Sequence, residues 1–355
     1  MVSSAVTFLT VLTVSAAFLN YSQSFYTQAG IRGGQASLRQ SHLMVIRNLR
    51  MAGYGMEPSL AFGFPANWER KASNNNNLSN RLVFRMRNPA FNAFASSLTP
   101  SSITLTQPLR ETLRRGQVIQ AMCEGAMAVG YAQLSADAPT GSKSLTLVAP
   151  SGKFPNSNDK FSQTCFTMVG GTARVYVFKI DVYDYSIRFI DNRPYLFRQH
   201  GLGPASSADP YGEPVAEDIE AFRVTFLKGN GTPFIPNPAD KDPGYDSPEN
   251  DPARENNNPA NIRAVVVGLV ARSSTRDLAT TAPNVIPAFG GEAEIKTDPI
   301  TNQPLPTGVR RVVSEMTVQI RNMRSSEMPV PLYSQLPGAC KGGAVPTDNY
   351  NCAGG

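Results

Sequence analysis

The sequence predicts an α+β protein, with one long N-terminal α-helix followed by an antiparallel, β-rich globular body. Three observations carry that expectation. No charged side chain occurs between Met1 and Arg32. Apolar residues then recur at helical spacing as far as Ala52, and after Pro58 the period changes to the alternation of strands. Gly and Pro, 28 of each, crowd the stretches between the alternating runs, which excludes an all-helical chain or a coiled coil.

Residues 1–19 read MVSSAVTFLTVLTVSAAFL, without Gly or Pro. A helix of about 20 residues crosses a hydrocarbon core of about 30 Å, so this stretch is just long enough to span one. Val6, Phe8, Leu9, Val11, Leu12, Val14, Phe18 and Leu19 supply its apolar surface, and Ser3, Ser4, Thr7, Thr10, Thr13 and Ser15 interrupt it. Hydroxyls bond back to the helix backbone or to a neighbouring helix, which weakens the hold on lipid without opposing the helix. The expectation is a single-pass segment suited to leaving the membrane later. A permanent anchor competes with it, as does a cleaved secretory signal ending at Ser15-Ala16-Ala17, which lacks the basic region such signals carry.

From Gln23 to Met51 the pattern turns amphipathic, with Ile31, Leu38, Val45 and Ala52 seven residues apart. Gly33-Gly34 predicts a kink or local melting near Gly30–Gly34, because each glycine costs about 1 kcal/mol inside a helix. Gly53, Gly55 and Pro58 predict the helix end at Gly53. The chain therefore divides into a helix over 1–54 and a body over 55–355.

Strands are predicted over 81–87, 102–107, 117–122, 126–134, 144–148, 174–181, 183–190, 195–198, 221–226, 264–271 and 309–321. Alternation is clearest from Val175 to Ile180 and from Met316 to Ile320, as in sheets with one wet face. No βαβ alternation or fixed repeat is present, which argues against a Rossmann fold or a solenoid. Residues 230–261 form a Pro-, Asn- and Asp-rich loop whose Asp240, Asp242, Asp246 and Asp251 are weak calcium candidates. Their spacing does not match an EF-hand, and a plain loop is the competing reading.

The four cysteines permit three pairings. Cys340 and Cys352 would close a short loop in a Gly-rich tail, a bond worth about 3 kcal/mol by chain entropy. Cys123 with Cys165 is then the second pair, an oxidising compartment being implied if either forms. The other reading of Cys123 is a small buried hydrophobe in a strand.

Chemistry is sparse. The chain has two histidines, His42 and His200, and no CxxC, HExxH, GxSxG or phosphate-loop motif. Asp181, Asp184 and Asp191 lie around predicted strands with no evident base, and His200 reads as part of a turn. No catalytic residue, cofactor or resident metal is expected, and the chain is read as a non-enzyme. The net charge of +6 is spread out, with Arg32, Arg39, Arg47 and Arg50 recurring along the helix. A solvated surface that keeps the protein soluble is the first reading of this charge, with nucleic acid or an anionic membrane surface as the alternatives.

Several ordered stretches resemble a PilW-like minor pilin of type IV pili, within the pilin and pseudopilin superfamily. Leu49-Arg50-Met51-Ala52-Gly53-Tyr54 resembles the LRMAGY signature closing that family's helix, and Val318-Gln-Ile-Arg321-Asn322 resembles its closing V-x-L-R-N strand. Tyr183–Ile187, Pro194–Arg198 and Val265–Ser273 resemble its strands, and Val215–Phe222 resembles its "VA…I" helix. Met1–Ala5 resembles the continuation after the FTLIE processing motif, as though the chain began just beyond it; position 5 is Ala5, where the family has an acidic residue. The resemblance implies a filament subunit that primes pilus assembly near the tip. Its helix would rest in the inner membrane before packing in the filament core, and its body would be periplasmic and then extracellular. Its partners would be other major and minor pilins and the assembly machinery. The alternatives are a J-type pseudopilin of a type II secretion system and a pilus-associated adhesin or DNA-uptake subunit. A membrane-anchored hydrolase is a further reading, opposed by the missing motifs.

Overall fold

The computed structural model describes residues 2–64, 81–124, 129–149, 174–200, 212–229, 231–234, 259–274, 285–287, 294–297, 303–305 and 307–323. Helix α1 runs from Val2 to Leu49 without interruption. Helical hydrogen bonding is unbroken through Gly30–Gly34, so the local melting expected there does not occur. Instead Gly30 and Gly34 lie on the buried face, and a Cβ at Gly34 would come within 3.5 Å of the Arg272 carbonyl. The small residues let the helix approach a strand closely, and the helix on either side keeps them in register.

The helix ends at Leu49, four residues before the predicted stop. Its last hydrogen bonds tighten, Met51 N donating to Asn48 O and Ala52 N to Leu49 O. Gly53 (φ 76°) then turns the chain, donating its N–H to Arg85 O at 2.9 Å. Helical bonding is thereby handed to a strand, with Arg87 N donating to Tyr54 O at 2.8 Å.

Thirteen strands follow among the described residues: β1 (Phe62–Gly63), β2 (Arg81–Thr99), β3 (Ser102–Leu105), β4 (Val118–Cys123), β5 (Val129–Leu134), β6 (Ser144–Val148), β7 (Val175–Ile190), β8 (Arg193–His200), β9 (Gly212–Glu217), β10 (Ile219–Lys228), β11 (Pro233–Phe234), β12 (Ile262–Arg272) and β13 (Arg311–Gln319). All their pairings are antiparallel. Nine form one sheet in the order β1-β2-β3-β6-β5-β4-β7-β8-β9, and four form another in the order β11-β10-β12-β13.

The body resolves into two units, because β2 also pairs with β7 and closes β2, β3, β6, β5, β4 and β7 into a six-stranded barrel. Two long strands make this arrangement. The first part of β2 pairs with the last part of β7 in the open sheet, from Arg81↔Ser186 to Arg87↔Ile180. Beyond a bulge they pair again, from Asn92↔Phe178 to Ala95↔Val175, as barrel staves. The bulge contains Pro89, which has no ladder N–H to give. Asn88 fixes it, accepting from Ala90 N and donating to Asp181 Oδ2, both at 2.8 Å. Sequence alternation divided β7 at Val182 and ended the β2 prediction at Arg87, so the barrel was not foreseen.

Each unit has its own core. The barrel interior holds Leu98, Ile103, Ile119, Ala132, Leu145 and Val177. The larger core joins α1 to both sheets through Val45, Leu49, Phe84, Tyr185, Phe222 and Val267. Aromatic edges lock it, with Phe62 and Phe226 centroids 5.0 Å apart and Phe84 stacked 5.2 Å from Tyr183. The outer face of the four-stranded sheet carries a smaller cluster of Ala221, Val270, Ile286 and Leu305.

Turn chemistry explains two hairpins. Asp191 (φ 49°) and Asn192 (φ 61°) are the two-residue turn between β7 and β8, the mirror-image type that matches strand twist. Val215–Phe222, matched above to a helix, is instead β9 and β10 with Asp218 between them at φ 59°. Its carboxylate takes Arg193 at 2.8 Å and Arg272 at 3.4 Å, and its carbonyl accepts Arg272 N at 2.9 Å. Those long-range contacts outweigh the local helical pattern.

Candidate functional site

Among the described residues, exposed large apolar side chains are concentrated on the first half of α1. Val6, Phe8, Leu9, Val11, Leu12, Val14, Phe18 and Leu19 are each half or more exposed, and the first buried residue of the helix is Gly30. At 1.5 Å per residue about 40 Å of helix precedes that point. Several of its hydroxyls bond back to the helix. Thr10 Oγ1 donates to Val6 O at 2.7 Å, Thr13 to Thr10 O at 2.9 Å and Ser22 to Leu19 O at 3.0 Å. Hydroxyls bonded in this way present fewer unmet donors to apolar surroundings. Among the described residues, no helix is long and apolar enough to cross a membrane by hydropathy. The same hydroxyls, with Asn20, Ser22, Gln23 and Ser24, dilute the stretch below that level.

The second half of α1 fixes the first to the body. Gly30, Gly34, Leu38, Ser41, His42, Val45 and Leu49 form the buried face, against β9, β12 and β13. Gln40 Nε2 donates to Val215 O at 3.2 Å, and Asn48 Nδ2 to Tyr185 Oη at 2.8 Å. His42 is 4% exposed, without a well-formed hydrogen bond at either ring nitrogen. Burial lowers its pKa from 6.5, the Ser314 backbone partly opposing.

A pH dependence follows with a definite sign. The unfolded chain takes up a proton at His42 as pH falls through 6.5, and the folded chain does so only at lower pH. Stability is therefore full above about pH 7 and declines as pH drops toward the lowered value. Thermal unfolding at pH 7.5 and pH 5.5 checks this, and His42→Leu is expected to flatten the difference.

The signature residues meet in space. Leu49–Tyr54 form the end of α1 and its turn, and Asn322 reaches back to cap them, its Nδ2 donating to Arg50 O at 3.3 Å and Ala52 O at 3.4 Å. A Cβ on Gly53 would lie 3.2 Å from Ala61 Cβ and 3.3 Å from Met323 Sδ. Arg321, its neighbour in the motif, is exposed. Helix ends carry orphan carbonyls, so Asn322→Ala is expected to lower stability by about 1 kcal/mol, read as a fall of about 2–4 °C in thermal midpoint.

The polar groups elsewhere act as structural ties. Arg81 grips Asp184 through two nitrogens, Nε lying 2.8 Å from Oδ1. Arg85, 8% exposed, donates to Leu60 O at 3.0 Å and Phe62 O at 3.2 Å, and burial brings its pKa down to about 10. His200, which closes β8, has Nε2 3.3 Å from Asp181 Oδ1 and stacks 4.6 Å from Tyr183. The phenol of Tyr183 is pushed up to about 12, mainly by burial. Sequence reasoning left these aspartates without partners, since cross-strand neighbours are set by register.

Cys123 is 2% exposed at the end of β4, and among the described residues no cysteine is a free thiol. Cys165, Cys340, Cys352 and the calcium candidates Asp240, Asp242, Asp246 and Asp251 lie outside the described residues. Among the described residues no three His, Cys, Asp or Glu side chains are grouped to hold a metal ion.

No family model matches this chain, and no curated protein matches it. Among solved structures it is similar to a type IV-like pilin, TTHA1219 from Thermus thermophilus, at 13% identity over 82% of this chain and 98% of that one. The TM-score is 0.29, an overlay too loose to add to what the helix and strands themselves establish.

Proposed function

We propose that this chain is a pilin-type structural subunit, a minor pilin of a type IV pilus. The reading is supported by the division of α1 into an exposed, uncharged half rich in large apolar side chains and a half docked on a β-rich body. Apolar surface of that kind is stable in lipid or among other apolar helices, and self-satisfied hydroxyls suit exchange of one for the other. In this reading α1 rests in the inner membrane before incorporation and then joins a filament core, the body lying outside the cytoplasm. The partners are other major and minor pilins and the assembly machinery, with a role in priming assembly near the tip. Disulfides Cys123–Cys165 and Cys340–Cys352 belong to the same proposal, because the body would fold in an oxidising compartment.

The test is Leu12→Glu in cells that make filaments, with Leu12→Met as control. A charge at the centre of an apolar span costs about 2.5–3.5 kcal/mol. The Glu variant is expected to disappear from the membrane and sheared-filament fractions while the Met variant remains in both. Leu12→Glu protein in filaments at the wild-type level would overturn the reading.

A further inference from the structure

Three arginines of α1, and Arg50 just beyond its end, have side chains that take no part in attaching it to the body. Arg32, Arg39, Arg47 and Arg50 are exposed, and among the described residues none of their guanidinium groups has a hydrogen-bond or ion-pair partner. No acidic residue stands beside them in the sequence, where the first is Glu57. Their placement is regular. Phe18, Phe25, Arg32 and Arg39 follow one another at intervals of seven, as do Leu43 and Arg50. At 100° per residue all six fall within about 60° around the helix axis, opposite the buried Gly34, Ser41 and Val45. Leu43, 64% exposed, stands among the arginines as the one large apolar side chain on that stretch of the face.

Seven-residue spacing is that of a seam between two helices wound gently around each other. The occupant has to match both parts of the face, apolar beside Phe18, Phe25 and Leu43 and acidic beside the arginines. A second copy of α1 fails the second condition in any stagger, because it brings arginines and no carboxylate. Lipid headgroups fit poorly as well. The arginines extend about 27 Å along the axis from Arg32 to Arg50, several times the depth of one headgroup layer on an upright helix.

We propose that this face of α1 is a docking seam for a helix of a different chain, one carrying acidic side chains at seven-residue spacing, and that its arginines prevent pairing with a second copy. This rests on the reading of α1 as an assembly helix and names the chemistry of its neighbour. Specificity arises from repulsion of the wrong partner as much as from attraction of the right one.

The experiment uses the full chain in neutral detergent micelles, with its own triple variant Arg32→Glu/Arg39→Glu/Arg50→Glu as the acidic probe. Sedimentation is expected to find wild type alone and variant alone monomeric. An equimolar mixture is expected to form a one-to-one dimer, at least about tenfold tighter than either self-association and weakened as salt rises. Near-ultraviolet circular dichroism checks the variant's fold, and Arg39→Glu/Arg47→Glu is the substitute probe if the triple variant unfolds. Self-association of the wild type as tight as that of the mixture would overturn the proposal. So would no pairing in the mixture, or protection of Arg39 and Arg50 by phosphatidylglycerol nanodiscs and not by phosphatidylcholine ones, which would assign the face to lipid. Pairing in micelles is independent of filament incorporation, so this result and that of Leu12→Glu can fail separately.

Discussion

Arg311→Met is expected to destabilise the protein by about 3–5 kcal/mol, with a fall in thermal midpoint of about 10 °C. Arg311 on β13 reaches across β12 to Glu220, which occupies the bulge at the start of β10. Nε meets Oε2 at 2.6 Å and a terminal nitrogen meets Oε1 at 3.1 Å, so the contact is a two-pronged fork. The side chains are 3% and 1% exposed. Removing the guanidinium leaves a carboxylate out of water with its main counter-charge gone, and that desolvation is the larger part of the loss. Glu220→Gln in the same chain removes the stranded charge, so the double variant should recover most of the stability. If the single variant melts within 2 °C of wild type, or the double variant is the less stable of the two, this account of the outer face of the sheet is wrong.

That ion pair also marks a limit of sequence reading. Glu220 and Arg311 are 91 residues apart, and the sequence puts Glu220 in a segment matched to a helix and Arg311 in a predicted strand, with nothing to pair them. The structure buries both, at 3% and 1% side-chain exposure, through contacts distant in the sequence. Features with a local cause were legible. The helix was visible in the absence of charge and the later spacing of Leu38, Val45 and Ala52, and most strands in their alternation. Features set by contact were not. Gly34 reads as a helix breaker until Arg272 is seen beside it, and Asp218 reads as helical until Arg193 and Arg272 hold it at positive φ.

The candidate site divides along the same line. The apolar residues from Val6 to Leu19 were identified by composition alone, because an exposed apolar helix needs no partner in the same chain to be recognised. Leu49–Tyr54 and Asn322 were identified by letter pattern without a reason for the pattern. Their reason is physical: a helix that turns into strand bonding at Gly53 leaves carbonyls at Arg50 and Ala52, and Asn322, some 270 residues on, caps both.

The second large effect follows from the body having two cores. Phe84 is completely buried in the core shared by α1 and both sheets, stacked on Tyr183 at 5.2 Å and Tyr185 at 6.1 Å. Phe84→Ala is expected to cost about 3–5 kcal/mol, and because that core joins every element outside the barrel, the loss should be global. Ile103 is equally buried but faces the barrel interior with Leu145 and Leu134. Ile103→Ala should cost about 2–4 kcal/mol, and its effect should be felt first by the barrel alone. The units share β2 and β7, where the Asn88 bulge interrupts the ladder, so loosening on one side need not pass intact to the other. Amide exchange reads the difference. Ile103→Ala should speed exchange in β3–β6 and leave α1 near Val45, β10 and β12 protected, whereas Phe84→Ala should raise exchange in all of them. Uniform acceleration by Ile103→Ala would mean that barrel and body unfold as one unit, and that the neck transmits what the bulge was expected to stop.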